Sequence, residues 1–364
     1  GQTRLQVNDA NVTISAGGGK LATDGGEIRV VNPAMVMDNS NPEESVLEIS
    51  GDIAAPIPAL LDLARDQQPG ALETVELPID VEAITGSVDL GLVATINLAD
   101  PATGQGPDVD YVVNGTVKDF ASSQPIQDRQ IGNGQLQFSA SQDSYQLGGT
   151  AEIDGIPAEV ELQGTPTSEP TFKLSSTIEV ADLAKMGFDA SEFLSGKVRF
   201  VAQPMPDGSM QMVVDLADAG LSIKDLGISK AAGTAGTLSA TIRPGDEVTE
   251  LSGIDLAFGT VRAIGNIKYH ATEGLQSAEF SQFALSEGDS AQLKLSPMEN
   301  GYTVEITGQQ LDLKPMLRRF FNLGEGAGGV QATQFDQTIA LKAKLDRAVG
   351  HYATTAFNLD LDLL

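Results

Sequence analysis

Val88-Asp89-Leu90-Gly91-Leu92-Val93-Ala94-Thr95-Ile96-Asn97-Leu98 changes character at almost every step. Val88, Leu90, Leu92, Ala94, Ile96 and Leu98 fall on one side of an extended chain. Asp89, Gly91, Thr95 and Asn97 fall on the other, with Val93 the one apolar intruder. Successive side chains of a strand point to opposite faces, so this stretch reads as a strand with one apolar and one polar face. Similar faces recur on either side of it. They appear at Val109/Tyr111/Val113, Tyr145/Leu147, Phe172/Leu174 and Met210/Met212/Val214/Leu216. They continue at Ile254/Leu256/Phe258, Leu293/Leu295, Tyr302/Val304/Ile306 and Phe357/Leu359/Leu361/Leu363. Asn133-Gly134, Asp154-Gly155, Asp207-Gly208 and Asn300-Gly301 sit between such runs. Tight hairpin turns need residues that tolerate positive φ, and these pairs supply them. The spacing predicts a mainly β, mostly antiparallel chain with roughly eighteen strands.

Three segments break the alternation with helical spacing: residues 56–67, 182–194 and 314–323. Pro58 and Pro315 stand near two of the expected helix starts. The first and third share a longer frame. Glu48-Ile49-Ser50-Gly51 precedes Pro58 and Leu60 at the offsets by which Glu305-Ile306-Thr307-Gly308 precedes Pro315 and Leu317. A strand ends, Gly permits a bend, Pro starts a helix and Leu anchors it. Thr177-Ile178-Glu179-Val180 into Asp182-Leu183 is a looser match, giving a period of roughly 125–130 residues, far above common solenoid units. The expected organisation is a partial repeat over residues 1–67, full repeats over 68–194 and 195–323, and the start of a further one over 324–364.

The 364 residues carry a net charge of −28, with neither Cys nor Trp. Such an acidic surface repels phosphate backbones, so no nucleic-acid partner is expected. The missing cysteines remove disulfides, thiol catalysis and the usual zinc sites, and suit an oxidising compartment. No apolar run is long enough for a membrane helix, and no secretory signal opens the sequence. The chain reads as a soluble excerpt of something larger.

Catalytic and cofactor motifs fail on context. Gly324, Gly326 and Gly329 match G-x-G-x-x-G, but a helical pattern precedes them and a strand pattern follows, the reverse of a dinucleotide site. Gly19-Lys20 and Gly196-Lys197 lack the Ser or Thr of a phosphate-binding loop. Asp100, Asp108 and Asp110 surround a Gly/Pro-rich loop without the ligand spacing of a calcium site. Asp360 and Asp362 share the polar face of a strand. His270 and His351 stand apart from any Ser or carboxylate frame. A glycosidase-like carboxylate pair would lack aromatic sugar platforms, with no Trp and five Tyr. The chain is expected to be no enzyme, with no cofactor and no metal.

What remains is the apolar face. It must be covered by a second sheet, by closure into a barrel, or by an apolar ligand held in a curled sheet. The joints Ile49-Ser50-Gly51…Pro58-x-Leu60-Leu61 and Tyr302-x-Val304-x-Ile306-x-Gly308…Leu311-Asp312-Leu313-x-Pro315 resemble those of the AsmA-like superfamily, in particular the YhdP-type central region. The block Gly148-Gly149-Thr150-Ala151-Glu152-Ile153-Asp154-Gly155-Ile156-Pro157-Ala158 is similar too, and the resemblance spans residues 45–320. It implies an elongated, curled antiparallel sheet, the repeating β-groove, with a few short connecting helices. It implies a periplasmic segment of an inner-membrane-anchored protein that carries phospholipid between inner and outer membranes, contacting both through regions outside this sequence. The expected acyl-chain contacts are Leu90, Leu92, Ala94, Ile96, Leu98, Tyr111, Val113, Met210, Met212, Val214, Leu216, Ile254, Leu256, Phe258, Val304, Ile306, Phe357 and Leu359. The competing expectation is a structural or adhesive β-sandwich array that binds protein partners through a dry, closed core. An outer-membrane barrel is disfavoured by the missing aromatic girdles.

Overall fold

The computed structural model describes residues 3–8, 10–41, 45–67, 83–98, 108–126, 129–186, 190–223, 228–299, 301–314 and 338–363. Among these the chain is mainly β, with twenty-three strands and one α-helix of more than one turn. It divides into two compact units, Gly1–Leu174 and Ser175–Leu364.

The first unit contains β1 (Thr3–Asn8), β2 (Asn11–Ala16), β3 (Gly18–Thr23), β4 (Gly26–Asp38) and β5 (Val46–Pro56). Helix α1 (Ile57–Gln67) follows, then β6 (Ile84–Asn97), β7 (Asp108–Ser122), β8 (Ile131–Ser141), β9 (Tyr145–Ile153) and β10 (Ile156–Gly164). Pairing is antiparallel throughout. β1 lies on β2, β2 and β3 lie end to end along one edge of β4, and β4 to β10 pair in sequence order. The register keeps apolar positions aligned: Leu92 faces Gly51 on one side and Val113 on the other, and Ala94 faces Ile49 and Tyr111.

The expected first helix is present as α1. Ala59 is fully buried, and Leu60 and Leu63 pack with Ile28, Ile53 and Ala55 of the apolar face. The turn before β4 touches the helix start so closely that a carbon added to Gly25 would lie 2.5 Å from the carbonyl carbon of Pro58. Only Gly fits there, and its N–H donates to the Asp62 carboxylate. Arg65 in the last turn suits the negative end of the helix dipole.

One expected turn is corrected. Asn133-Gly134 is no hairpin but a bulge inside β8, where the register against β9 shifts between Gly132 and Gln135. Asn133 takes φ 50°, and Asn32 in β4 and Asp119 in β7 take similar angles at register shifts of their own. A bulge needs the same positive φ as a tight turn, so the residue type alone does not separate the two. Asp154-Gly155 and Asp207-Gly208 do sit in the turns expected of them.

β11 (Thr171–Glu179) carries the chain into the second unit and ends in a 3-10 segment, Val180–Met186. The helical spacing expected over 182–194 is realised as that segment, and β12 (Leu194–Pro204) begins where a helix end was expected. Then follow β13 (Met210–Asp215), β14 (Ala219–Ile223), β15 (Ile228–Lys230), β16 (Gly236–Arg243), β17 (Val248–Phe258), β18 (Val261–His270) and β19 (Gly274–Ala284). β20 (Ser290–Met298), β21 (Gly301–Asp312), β22 (Thr338–Val349) and β23 (Thr355–Leu363) complete it.

β13 and β14 share one edge of β12, β14 pairs with β15, and β13 pairs with β16. From β16 to β21 each strand pairs antiparallel with the next. β22 is parallel to β21, and β23 returns antiparallel. The mostly antiparallel expectation holds, and this joint is the exception to it among the described pairings. Parallel neighbours require a crossover connection, and the expected third helix falls on that connection. Apart from Lys314, it lies outside the described residues, as does Leu317. The buried core of this unit gathers Leu221, Phe258, Phe283, Ile306, Leu311 and Leu345 into one contiguous cluster.

Candidate functional site: the apolar faces

In the first unit the pairing places one apolar face across all ten strands. Leu90, Leu92, Ala94 and Ile96 lie on it from β6, Leu98 just beyond the strand end, and Tyr111 and Val113 from β7. Burial is deepest beside α1, at Ile28, Ala55 and Val88. It falls away along the strands, to 43% exposure at Val109 and 36% at Tyr111. It falls away across the sheet as well, to 65% at Leu5 and 66% at Val7 in β1. Register puts Leu5 opposite Ile14 and Ile14 opposite Met35, so these exposed side chains extend the same face. The contact positions expected from sequence include none from β1 to β4, although Leu5/Val7 and Met35/Met37 carry the same alternation.

The second unit shows the gradient on a single strand. Met210 is 39% exposed, Met212 is half-buried, and Val214 and the following Leu216 are buried. Ile254, Leu256 and Phe258 share this face through β16, and Val304 and Ile306 share it through β18 to β20. Leu359 joins it opposite Leu345. Phe357 does not. It faces Arg347, whose guanidinium donates to Gln310, and it is largely exposed on the polar side. Asn358 takes φ 52° between Phe357 and Leu359, and this irregularity reverses the parity expected from strict alternation.

Lys230 lies on the apolar face opposite Leu221 and is buried. Its Nζ donates to the carbonyl oxygens of Leu216 and Ala219, with those of Ala217 and Ala231 within 3.5 Å. Polar groups buried beside apolar ones must be satisfied in this way.

The opposite face is charged and ordered. Lys268 meets Glu250 at 2.7 Å, Lys294 meets Glu279 at 2.9 Å, and Glu305 stands opposite Lys342, which stands opposite Asp362. The hydrogen bond from Lys268 holds the Glu250 carboxyl below its ordinary range and raises the lysine; Lys294 does the same to Glu279. In the first unit Lys118 meets Asp89 at 2.6 Å. In each unit the strands thus present a mainly apolar side and a solvated, ion-paired side.

Groups with chemical potential serve local structure. His270 Nδ1 lies 3.3 Å from the backbone nitrogen of Thr272 and 3.2 Å from that of Glu273, in the turn after β18. Asp108 and Asp110 lie in β7, while Asp100 is outside the described residues, as are Gly324, Gly326 and Gly329. Among the described residues no three His, Cys, Asp or Glu side chains form a group fit for a metal ion, and no helix is long and apolar enough to cross a membrane. Comparison with protein families, with curated proteins and with solved structures found no match to this chain.

Proposed function

We propose that this chain is a segment of a lipid conduit, in which phospholipid acyl chains lie along the apolar faces and headgroups stay toward water. The observation that carries the reading is the open part of the first face. There Leu5, Val7, Ile14, Met35, Val109 and Tyr111 remain accessible on a face that register makes continuous. Large contiguous apolar surfaces on a water-exposed protein mark places where something apolar binds. Shielding each methylene of an acyl chain is worth about 0.8 kcal/mol, so partial enclosure suffices for retention. No bond is made or broken in such a role. Met35, Met37, Met210 and Met212 add adaptable, polarizable contacts suited to chains of varied shape. With the AsmA-like joints, this reading extends to a periplasmic location, anchoring in the inner membrane, and delivery toward the outer membrane.

The test is native mass spectrometry of the purified chain for co-purified phospholipid, with Leu92→Asp, Ile96→Asp and Thr95→Asp alongside. The conduit predicts lipid on the parent and on Thr95→Asp. It predicts folded but lipid-free Leu92→Asp and Ile96→Asp, because water reaches the new carboxylates once lipid is gone. Unfolding of both inward variants, with no lipid on the parent, would establish a dry core and a protein-binding array instead.

A further inference from the structure

The geometry points to pairs of glycine and aromatic residues on the apolar faces as the feature that sets the clearance above them, and so the kind of chain they admit. This inference rests on the conduit reading. In the first unit Gly115 faces Phe138, Gly134 faces Phe120 and Gly164 faces Tyr145 in direct register. In the second, Gly236 faces Phe258 and Gly265 faces Phe280. Register with Leu90, Val113 and Leu256 puts these rings on the apolar side.

The rings recline. A carbon added to Gly164 would lie 2.5 Å from Tyr145 Oη and 2.7 Å from its Cζ. One added to Gly115 would lie 2.7 Å from both Cε1 and Cζ of Phe138. The far edges of the Tyr145 and Phe138 rings therefore rest over the α-carbons of Gly164 and Gly115, whereas Gly134 is met by Phe120 Cβ and Gly236 by the Lys230 stem and Phe258 Cβ. Side chains on a sheet ordinarily stand roughly perpendicular to it. A reclining ring raises the floor by only about one van der Waals separation, ~3.5–4 Å. The result around Gly115 and Gly164 is a low aromatic floor without upright partitions. Such a floor favours narrow, flexible, unbranched acyl chains, and gives a rigid or branched ligand no pocket to lock into.

A covering ring also compensates a glycine's missing side chain within a sheet. Sheet repair alone predicts that lifting the ring alters stability and nothing else. The pair Gly164–Tyr145 separates the two accounts, because the three atoms nearest the added carbon all belong to the Tyr145 side chain. In Gly164→Ala the ring is the first thing that must move.

The experiment uses the full chain as the parent, Gly164→Ala, Tyr145→Ala and the double variant. Each is melted and titrated with dipalmitoyl phosphatidylethanolamine carrying a fluorescent headgroup. Gly164→Ala should melt near the parent and bind the probe several-fold more weakly, and the double variant should regain parental binding. A folded Gly164→Ala that binds as the parent does would overturn the inference while leaving the conduit standing. A parent that binds no probe would overturn both. Should Gly164→Ala fail to fold, Phe138→Leu, which exchanges a reclining ring for an upright branched side chain, decides in the same assay. Weakened binding supports the inference and parental binding overturns it.

Discussion

Lys230 Nζ lies 2.7 Å from the carbonyl oxygen of Ala219 and donates as well to that of Leu216, so a side chain rooted in β15 ties together the break between β13 and β14. The aliphatic stem crosses the floor against Gly236, where an added carbon would lie 2.8 Å from Lys230 Cε. Charge and stem thus serve different ends of one joint.

Lys230→Met keeps the stem and removes the donor. Two buried carbonyls lose a charged donor, that of Leu216 keeping the Ala219 N–H at 3.0 Å, and such a donor is worth about 1.5–3 kcal/mol. The expected loss is about 2–4 kcal/mol, read as a lower urea midpoint with unchanged slope. An unchanged midpoint would mean that water satisfies these carbonyls equally well.

Ile306 and Phe357 should respond in opposite ways to truncation, although both belong to apolar runs. Ile306 is fully buried, and Ile306→Ala should cost about 2–5 kcal/mol. Phe357 stands 71% exposed on the polar side, and Phe357→Ser should stay within about 0.5 kcal/mol of the parent. Chemical denaturation of the two variants checks the face assignment. Equal losses would refute it.

Acid should act late at the Asp207-Gly208 turn. The Ser209 hydroxyl and backbone N–H, with Arg243, lower the Asp207 carboxyl from 3.8 to about 2. A carboxyl depressed in the folded state adds stability that is complete above the unfolded value. That stability is lost as pH falls from 3.8 through 2. Asp207→Asn should flatten the melting temperature against pH in that window and leave its shape above it unchanged. Carbon-detected NMR titration of Asp207 should give a midpoint near 2.

Reversing one charge on the polar face should show how far the alternating ladder matters. Lys294 sits between Glu279 and Glu305 in register, so Lys294→Glu sets three carboxylates in a row across β19, β20 and β21. The variant should melt lower than the parent, and added salt should close most of the gap. A gap indifferent to salt would point to lost packing by the lysine stem.

Much of this architecture is legible in the sequence because strand parity is local. The alternation from Val88 to Leu98 identifies β6 and its inward face, and the apolar spacing after Pro58 identifies α1. Features that depend on distant partners are not legible. Nothing near Gly164 in sequence shows that Tyr145 lies across it, and nothing near Gly301 shows that Thr338 lies beside it. Bulges fail for another reason. Asn133 and Asn358 adopt the φ of a turn within a strand, and each breaks the parity of its neighbours. The irregularity at Asn358, one residue away, puts Phe357 on the face opposite to the one that alternation predicts.

The parallel joint between β21 and β22 also bears on the order of assembly. From β16 to β21 every strand's partner is its immediate predecessor, so short loops close and hairpins zip together on the microsecond scale. β22 has no such route, since Gly301 must find Thr338 across the whole crossover. β22 and β23 therefore form their own hairpin first and dock afterwards as a finished piece. Their amides should exchange with deuterium together and ahead of those in β17 to β20; uniform protection across the unit would rule this order out.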